Sequence, residues 1–119
     1  MAIRNLTQRN AMATAYGAAA PYGALFSGDP GTADAATNEL AASGSPAYAR
    51  KAMSWGAAAA SAITGAPVFD VYAGVTVTYF GVCVSGIRAT ADVRDSVAVT
   101  SQAFASQGTY TVTATYTQT

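Results

Sequence analysis

The acidic side chains are the groups of this chain that could do chemistry, because its 119 residues include no histidine. Histidine is the commonest general base and a frequent metal ligand, and paired carboxylates are the alternative for acid–base work. Two groups of carboxylates stand close in sequence, Asp92 with Asp95, and Asp29 with Asp34 and Glu39. We expect Asp92 and Asp95 to be solvated turn residues and Asp29 to form a turn. The sequence therefore predicts no catalytic residue and no enzyme.

A metal or cofactor site is not expected either. Calcium would suit Asp29, Asp34 and Glu39, since this ion takes oxygen ligands, but their spacing matches no known calcium loop. Cys83 is the only cysteine and lies in an apolar stretch, so it cannot form an intrachain disulfide and is expected to be a buried small hydrophobic residue. The glycines between residues 81 and 86 lack the spacing of a phosphate-binding loop.

Arg50 and Lys51 are adjacent cations in a stretch, Tyr48–Trp55, that is expected to be a strand. Neighbouring strand residues point to opposite faces, so one of the two should point toward protein. A charged edge strand is one interpretation. The others are a salt bridge to Glu39 or Asp29 and a pair with a neighbouring subunit. We expect a pair, internal or between subunits, and include Arg50 and Lys51 among the candidate subunit or lattice contacts.

Charged residues are scarce, at 10% of the chain against about 25% in average soluble domains. A surface so poor in charge has little protection against association. The sequence therefore predicts a homo-oligomer, with a trimer as one option, or a surface covered by other chains. The apolar start of the chain, Ala2 and Ile3 with Leu6, is expected to take part in these contacts. The alternative is a small monomer, rich in Ala and Thr, with a neutral polar surface.

The charge pattern argues against nucleic-acid and membrane partners. Six basic and six acidic residues give a formal net charge of zero. The basic residues are scattered rather than clustered in the patch that nucleic-acid binding needs: Arg4, Arg9, Arg50, Lys51, Arg88 and Arg94. No run of 18 apolar residues predicts a membrane-spanning helix. The Ala-rich stretch 11–20 lacks the Leu, Ile and Val of a signal peptide, so none is expected.

One helix is predicted, over about residues 6–17, where the Ala-rich composition favours it. Asn5 or Thr7 could cap its start, and Gly17 could stop it. Its buried stripe is expected to comprise two residues one turn apart, Met12 and Tyr16.

Most of the remaining chain predicts β-strands, which are expected at 22–27, 48–55, 62–71, 75–85, 96–104 and 109–117, with a long polar loop at 32–46. The 75–85 stretch predicts a central strand that is apolar on both faces, whereas 109–117 alternates threonine with apolar residues. One face of the central strand is expected to carry Val75, Val77, Tyr79 and Cys83, and the other Phe80, Val82 and Val84. Four residues on apolar strand faces are expected in the core: Trp55, Phe80, Val82 and Val112. About six or seven antiparallel strands with one short N-terminal α-helix predict a single mainly β domain, a β-sandwich over residues 1–119.

Several short motifs in this layout resemble those of small structural proteins of tailed-bacteriophage virions. They are Ala24-Leu25-Phe26, Asp29-Pro30-Gly31, Asn38-Glu39-Leu40, Tyr48-Ala49-Arg50-Lys51-Ala52, Trp55-Gly56 and Thr78-Tyr79-Phe80-Gly81-Val82. Proteins of this group are labelled head-decoration, minor capsid or tail-fibre proteins. The resemblance covers most of the chain.

The resemblance implies a non-enzymatic virion protein that is assembled in the cytoplasm of a bacterial host. A capsid decoration or minor capsid protein, with the major capsid protein as partner, fits the small size and the absence of fibre-like repeats. A minor tail or tail-fibre-associated module, with tail proteins as partners, is the first alternative. A surface carbohydrate-binding domain is the second, and exposed coplanar aromatic residues in the 32–46 or 86–95 loops would favour it. Those loops contain none.

Overall fold

The computed structural model describes residues 2–119 and confirms a mainly β fold with one helix and antiparallel sheets. Helix α1 spans Leu6–Ala19. Eight strands follow, against the six or seven expected: β1 Tyr22–Phe26, β2 Lys51–Ala52, β3 Ala62–Gly65, β4 Val68–Val71, β5 Val75–Cys83, β6 Val93–Phe104, β7 Gly108–Thr111 and β8 Ala114–Thr117. No helix in residues 2–119 has the length and apolar character needed to cross a membrane.

Helix α1 begins where the sequence predicts but continues past Gly17. Asn5 is the N-cap, and its side-chain oxygen accepts a hydrogen bond from the Gln8 N–H at 3.0 Å. Gly17 is an interior position, and a Cβ there would lie 2.8 Å from Ile63 Cδ1. The glycine therefore lets the helix approach β3 closely, and the helix ends two residues later, ahead of Pro21.

The buried face of α1 is not the predicted Met12 and Tyr16 stripe. Met12 is 41% exposed, and the buried helix residues are Ala13 and Gly17. Tyr16 is half-buried. Small residues line the contact because the helix axis lies close to β3, so a methionine at this interface would not fit.

The largest sheet has four strands in the order β2-β1-β5-β6, all antiparallel. Its β2 edge has two residues, far fewer than the predicted strand 48–55. Ser54 has φ of 51°, in the left-handed region, which turns the chain out of extended geometry. The β6 edge has twelve residues and begins three residues earlier than expected.

Two predicted strands are each split in two. Pro67 separates β3 from β4 because its nitrogen has no proton to donate to a ladder. Val112 and Thr113 separate β7 from β8. The two breaks lie opposite each other, since the Val112 N–H donates to the Pro67 carbonyl at 3.1 Å. β3 pairs with β8, and β4 pairs with β7. In β7 and β8 the threonines remain exposed at alternate positions.

The main core lies between the four-stranded sheet and the two small sheets, a sandwich-like arrangement. Leu25, Phe80 and Val82 from the large sheet and Phe69 and Val71 from β4 belong to one buried cluster. Val112 is also buried there, whereas Trp55 is only partly buried against it. Three of the four predicted core residues are thus buried and the fourth is at the margin.

The central strand β5 faces protein on both sides, as predicted, but with a different phase. Val75 and Val77 belong to the same cluster as Phe80, whereas Tyr79 and Cys83 pack on the other face with Phe26. The ladder to β6 is irregular between Val77 and Tyr79, and such an irregularity shifts which residues share a face. The predicted grouping of Val75 and Val77 with Tyr79 is therefore wrong.

Candidate functional site

Arg50 is the centre of a buried polar cluster, and its five N–H donors each have an acceptor. Nε and Nη2 bind the two carboxylate oxygens of Glu39, both at 3.0 Å. Nη1 binds Asp92 Oδ1 at 2.6 Å and the Ser85 carbonyl at 3.1 Å. The second Nη2 contact is the Thr90 carbonyl at 3.0 Å. A guanidinium satisfied at every donor has no proton left for a ligand.

Glu39 is held as fully as its partner. Besides the bidentate contact with Arg50, its Oε2 accepts from the Tyr48 hydroxyl at 2.9 Å and its Oε1 from the Ala89 N–H at 2.9 Å. The Tyr48 oxygen accepts in turn from the Leu25 N–H at 3.0 Å, which ties the cluster to β1. The side chains of Arg50 and Glu39 are 0% and 1% exposed. We call these residues with Asp92 the Arg50 network.

Electrostatics in the Arg50 network favour the ionised pair. Burial alone would lower the pKa of Arg50, but the hydrogen bonds with Glu39 and Asp92 outweigh it and raise that pKa above its ordinary value. Burial opposes ionisation of Asp92 as well. Its contacts with Arg50 and the Ser85 N–H, at 2.7 Å, nevertheless lower the Asp92 pKa. Burial, followed by the charge of Glu39, raises the pKa of Tyr48, which remains a neutral donor.

The Arg50 network joins segments far apart in sequence and holds irregular backbone in place. Asn38 and Ala89 have φ of 66° and 65°, and Ala89 presents its N–H to Glu39 from this left-handed conformation. Conformations of this kind persist where surrounding contacts determine them. The arrangement fixes the 39–50 and 85–92 segments against β1.

Two sequence expectations change here. Asp92, expected to be a solvated turn residue, is 7% exposed and paired with Arg50. Of the interpretations open for Arg50, the structure has the internal pair with Glu39, so this buried side chain leaves no guanidinium proton for a subunit contact. Lys51 stays at the surface, 3.6 Å from Asp70, with both side chains partly exposed.

The other predicted contact residues lie at the beginning of the chain, on the surface. Ala2 is exposed, Ile3 is partly buried, and Leu6 is 49% exposed. The Ile3 N–H lies 3.5 Å from the carbonyl of Thr119, so the first residues run beside the C-terminus. Ala2, Ile3 and Leu6 thus remain available for a partner.

Cys83 and Asp29 occupy the structural roles expected of them, whereas the ion pair of Asp34 was not expected. Cys83 is fully buried, and burial raises the pKa of its thiol to about 12. Asp29 forms a turn, with its Oδ1 accepting from the Gly31 N–H at 2.8 Å. Asp34 pairs with Arg94 at 3.0 Å. Across residues 2–119, no three acidic or cysteine side chains converge in a way that could hold a metal ion.

A second feature, unforeseen from the sequence, is an open groove of about 300 Å³ between β6 and the end of the chain. Three partly buried aromatic residues line it: Tyr16 stacks on Tyr116 with ring centroids 3.7 Å apart, and Trp55 meets Tyr16 edge-on at 6.2 Å. Asp95 Oδ2 accepts from the Tyr16 hydroxyl at 2.7 Å, where a solvated turn residue was expected. We call it the aromatic groove.

Neither Asp92 nor the aromatic groove had a sequence signal strong enough to predict it. Arg50 reaches Asp92 across 42 residues, and Tyr16 reaches Asp95 across 79. The alternation of Tyr116 with threonines indicated a half-buried strand but not its neighbour. In comparisons with known proteins, no family model, curated protein or solved structure matches this chain.

Proposed function

We propose that the protein is a non-enzymatic structural protein of a tailed-phage virion that binds the outer face of the assembled head as a decoration or minor capsid protein. The observation that supports it is the convergence of the motifs that resemble this group of proteins. Glu39 from one motif and Tyr48 and Arg50 from another meet in the Arg50 network. The motifs that carry the resemblance therefore include residues that fix this fold.

The proposed mechanism is mechanical. Each copy bridges neighbouring major capsid subunits, and many weak contacts add up to a large resistance against internal pressure. A rigid particle suits this role, and the Arg50 network supplies rigidity without presenting buried charge to the partner. A chain with only 10% charged residues also suits close packing against other chains.

Cryo-electron microscopy of virions that contain the chain, with mass spectrometry of separated heads and tails, tests the proposal. We expect density for the protein on the outer head surface and the chain in the head fraction. The chain in the tail fraction alone would instead select the alternative, a minor tail or tail-fibre-associated module. Absence from both fractions would overturn a virion role.

The aromatic groove favours one further candidate, a carbohydrate-binding domain at the virion surface. Aromatic rings and a carboxylate are the groups that commonly contact sugar rings and hydroxyls, and Trp55, Tyr116 and Asp95 line one groove. Glycan-array binding by the purified protein tests it. Binding that is lost in Asp95→Asn and kept in Asp70→Asn would support this candidate, whereas no binding to any glycan on the array would remove it.

A further inference from the structure

We propose that the outer edge of β6 is a self-association surface, and that its occupant is β6 of a second copy, paired antiparallel about a two-fold axis. Such a pair would join two four-stranded sheets into one continuous sheet. The inference goes beyond the proposed function, because the pair would form in solution whether or not the protein binds a virion.

Strand β6 is unusually exposed for its length. It has twelve residues and pairs with β5 alone in the described part of the chain. Most of its side chains are exposed on both faces, and Val97 is 57% exposed. An unpaired edge presents a row of backbone N–H and C=O groups, which is a template for another strand. Peptides and subunits commonly bind by adding a strand to such an edge.

The two edges of the same sheet differ in how they resist pairing. The β2 edge has two residues, one of which is the charged Lys51. Short length and lysine are the usual means of blocking a sheet edge. From Ser96 to Phe104, β6 contains no charged residue and no proline. The edge of β6 therefore lacks the charge and proline that would keep another strand away.

Asp95 marks where pairing would begin. Its Oδ1 accepts from the Ser96 N–H at 2.9 Å, so this donor is already occupied by a neighbouring side chain. The Thr100 carbonyl lies 3.5 Å from the Tyr110 hydroxyl, at the outer limit of a hydrogen bond. The ladder to β5 is irregular between Ala98 and Gln102, so a partner strand would use the neutral edge on either side of this irregularity, between Val97 and Phe104.

A second copy fits this edge better than a charged partner would. In an antiparallel two-fold pair each strand faces its own sequence, so a charged residue near the axis would face its like. Residues 96–104 are uncharged, so no charged residue faces its own copy when the two-fold axis passes through this stretch. The formal net charge of zero also removes long-range repulsion between copies.

The same geometry favours a closed pair over a ring or a stack. A head-to-tail ring, such as a trimer, would have to join β6 of one copy to a different edge of the next, and the other edges have two residues, in β2, or four, in the strands of the two small sheets. Once two β6 edges have paired, the free edges of the joined sheet are the two short β2 strands. The structure therefore favours a dimer over the trimer that the sequence left open.

Sedimentation equilibrium on the purified chain tests the inference, with two matched lysine variants. Val97→Lys places a charge on β6, and Val68→Lys places the same charge on β4 at a valine of similar exposure, 50%. We expect a monomer–dimer equilibrium for the parent chain. Val97→Lys should raise the dissociation constant at least about tenfold, because a lysine on an edge strand opposes pairing with another strand. Val68→Lys should leave it unchanged.

Melting curves of both variants show whether either substitution disturbs the fold itself. A parent chain that stays monomeric at millimolar concentration, a trimer, or equal effects of both lysines would each overturn the inference. None of these outcomes bears on whether the chain is found in heads or tails. The self-association and the proposed virion role therefore fail by different results.

Discussion

Arg50 shows why arginine rather than lysine stands at the centre of the buried network. Its planar guanidinium donates five hydrogen bonds, two of them to one carboxylate in parallel. A lysine has three donors and could not satisfy both Glu39 and Asp92 together with two carbonyls. Ion pairs of this kind specify one conformation more than they add net stability, since desolvation offsets much of the attraction.

Removing the Arg50 side-chain charge should destabilise the fold severely. Arg50→Met leaves the buried carboxylate of Glu39 and the mostly buried one of Asp92 without a counter-ion, and breaking a buried pair in this way costs about 3–5 kcal/mol. Lys51→Met is the matched control at the next position. Its exposed pair with Asp70 is worth less than about 1 kcal/mol. Urea unfolding measures both, and equal losses for the two variants would contradict a structural role of the network.

Acid should weaken the fold through Asp92. Its folded-state pKa is lowered below the unfolded value of about 3.9, so the stabilisation is fully present above pH 3.9 and is lost as the pH falls through the folded pKa. We expect the free energy of unfolding to fall as the pH drops from about 4 through the lowered pKa of Asp92. In Asp92→Asn this drop should be smaller. An unchanged pH profile in the variant would show that other carboxylates cause the acid transition.

At the scale of elements, several strands of this protein are shorter than their apolar patterns because tertiary contacts interrupt them. Pro67 and Val112 break two neighbouring strands at the same level, and one backbone hydrogen bond joins the two breaks. The loop between β1 and β2 covers the second face of the large sheet, where Ala36 packs against the Phe26 cluster. The central strands are therefore buried on both faces although no helix covers that side.

Phe80 on β5 should be the most sensitive of the large-sheet residues. It is 3% exposed and packs edge-on against Phe69 of β4, with ring centroids 6.4 Å apart, so it links the two layers. Phe80→Ala should cost about 3–5 kcal/mol through lost burial and the cavity that remains. Val68→Ala, at a half-exposed position, should change stability by about 0.5 kcal/mol or less. A Phe80→Ala melting temperature within a few degrees of the parent would contradict this packing.

At the scale of the whole molecule, the protein is elongated, with principal extents of 47 × 24 × 23 Å. Its radius of gyration of 14.7 Å exceeds the value of about 13.5 Å expected for a compact domain of this length. An elongated body exposes more surface per residue, and here that surface is poor in charge. Both features are consistent with the proposed association with other chains.

The first residues should matter for partner binding and not for folding. Deleting residues 2–4 removes Ala2 and Ile3 but keeps Asn5, the N-cap of α1. We expect weaker binding to assembled particles with a nearly unchanged melting temperature. Asn5→Ala is the complementary variant, which should lose about 1 kcal/mol of stability and keep particle binding. Unfolding on deletion would instead place Ile3 in the core.

Local patterns determined what could be predicted from sequence. The alternation of residues 109–117, the cap at Asn5 and the burial of Cys83 depend on neighbours along the chain, and each is confirmed. The mainly β class follows from the same patterns. The sequence also placed Glu39 among the alternatives for Arg50, because the two are close along the chain.

Only the tertiary structure decided the partners that are distant in sequence. Asp92 looked like a solvated turn residue because its hydrogen-bond partner Arg50 is 42 residues away. Gly17 looked like a helix stop because its close neighbour Ile63 lies on another strand. The phase of β5 changed at an irregularity that depends on pairing with β6. Local propensity sets which segments are helix or strand, whereas burial and charge pairing depend on which segments meet, and chain topology alone determines that.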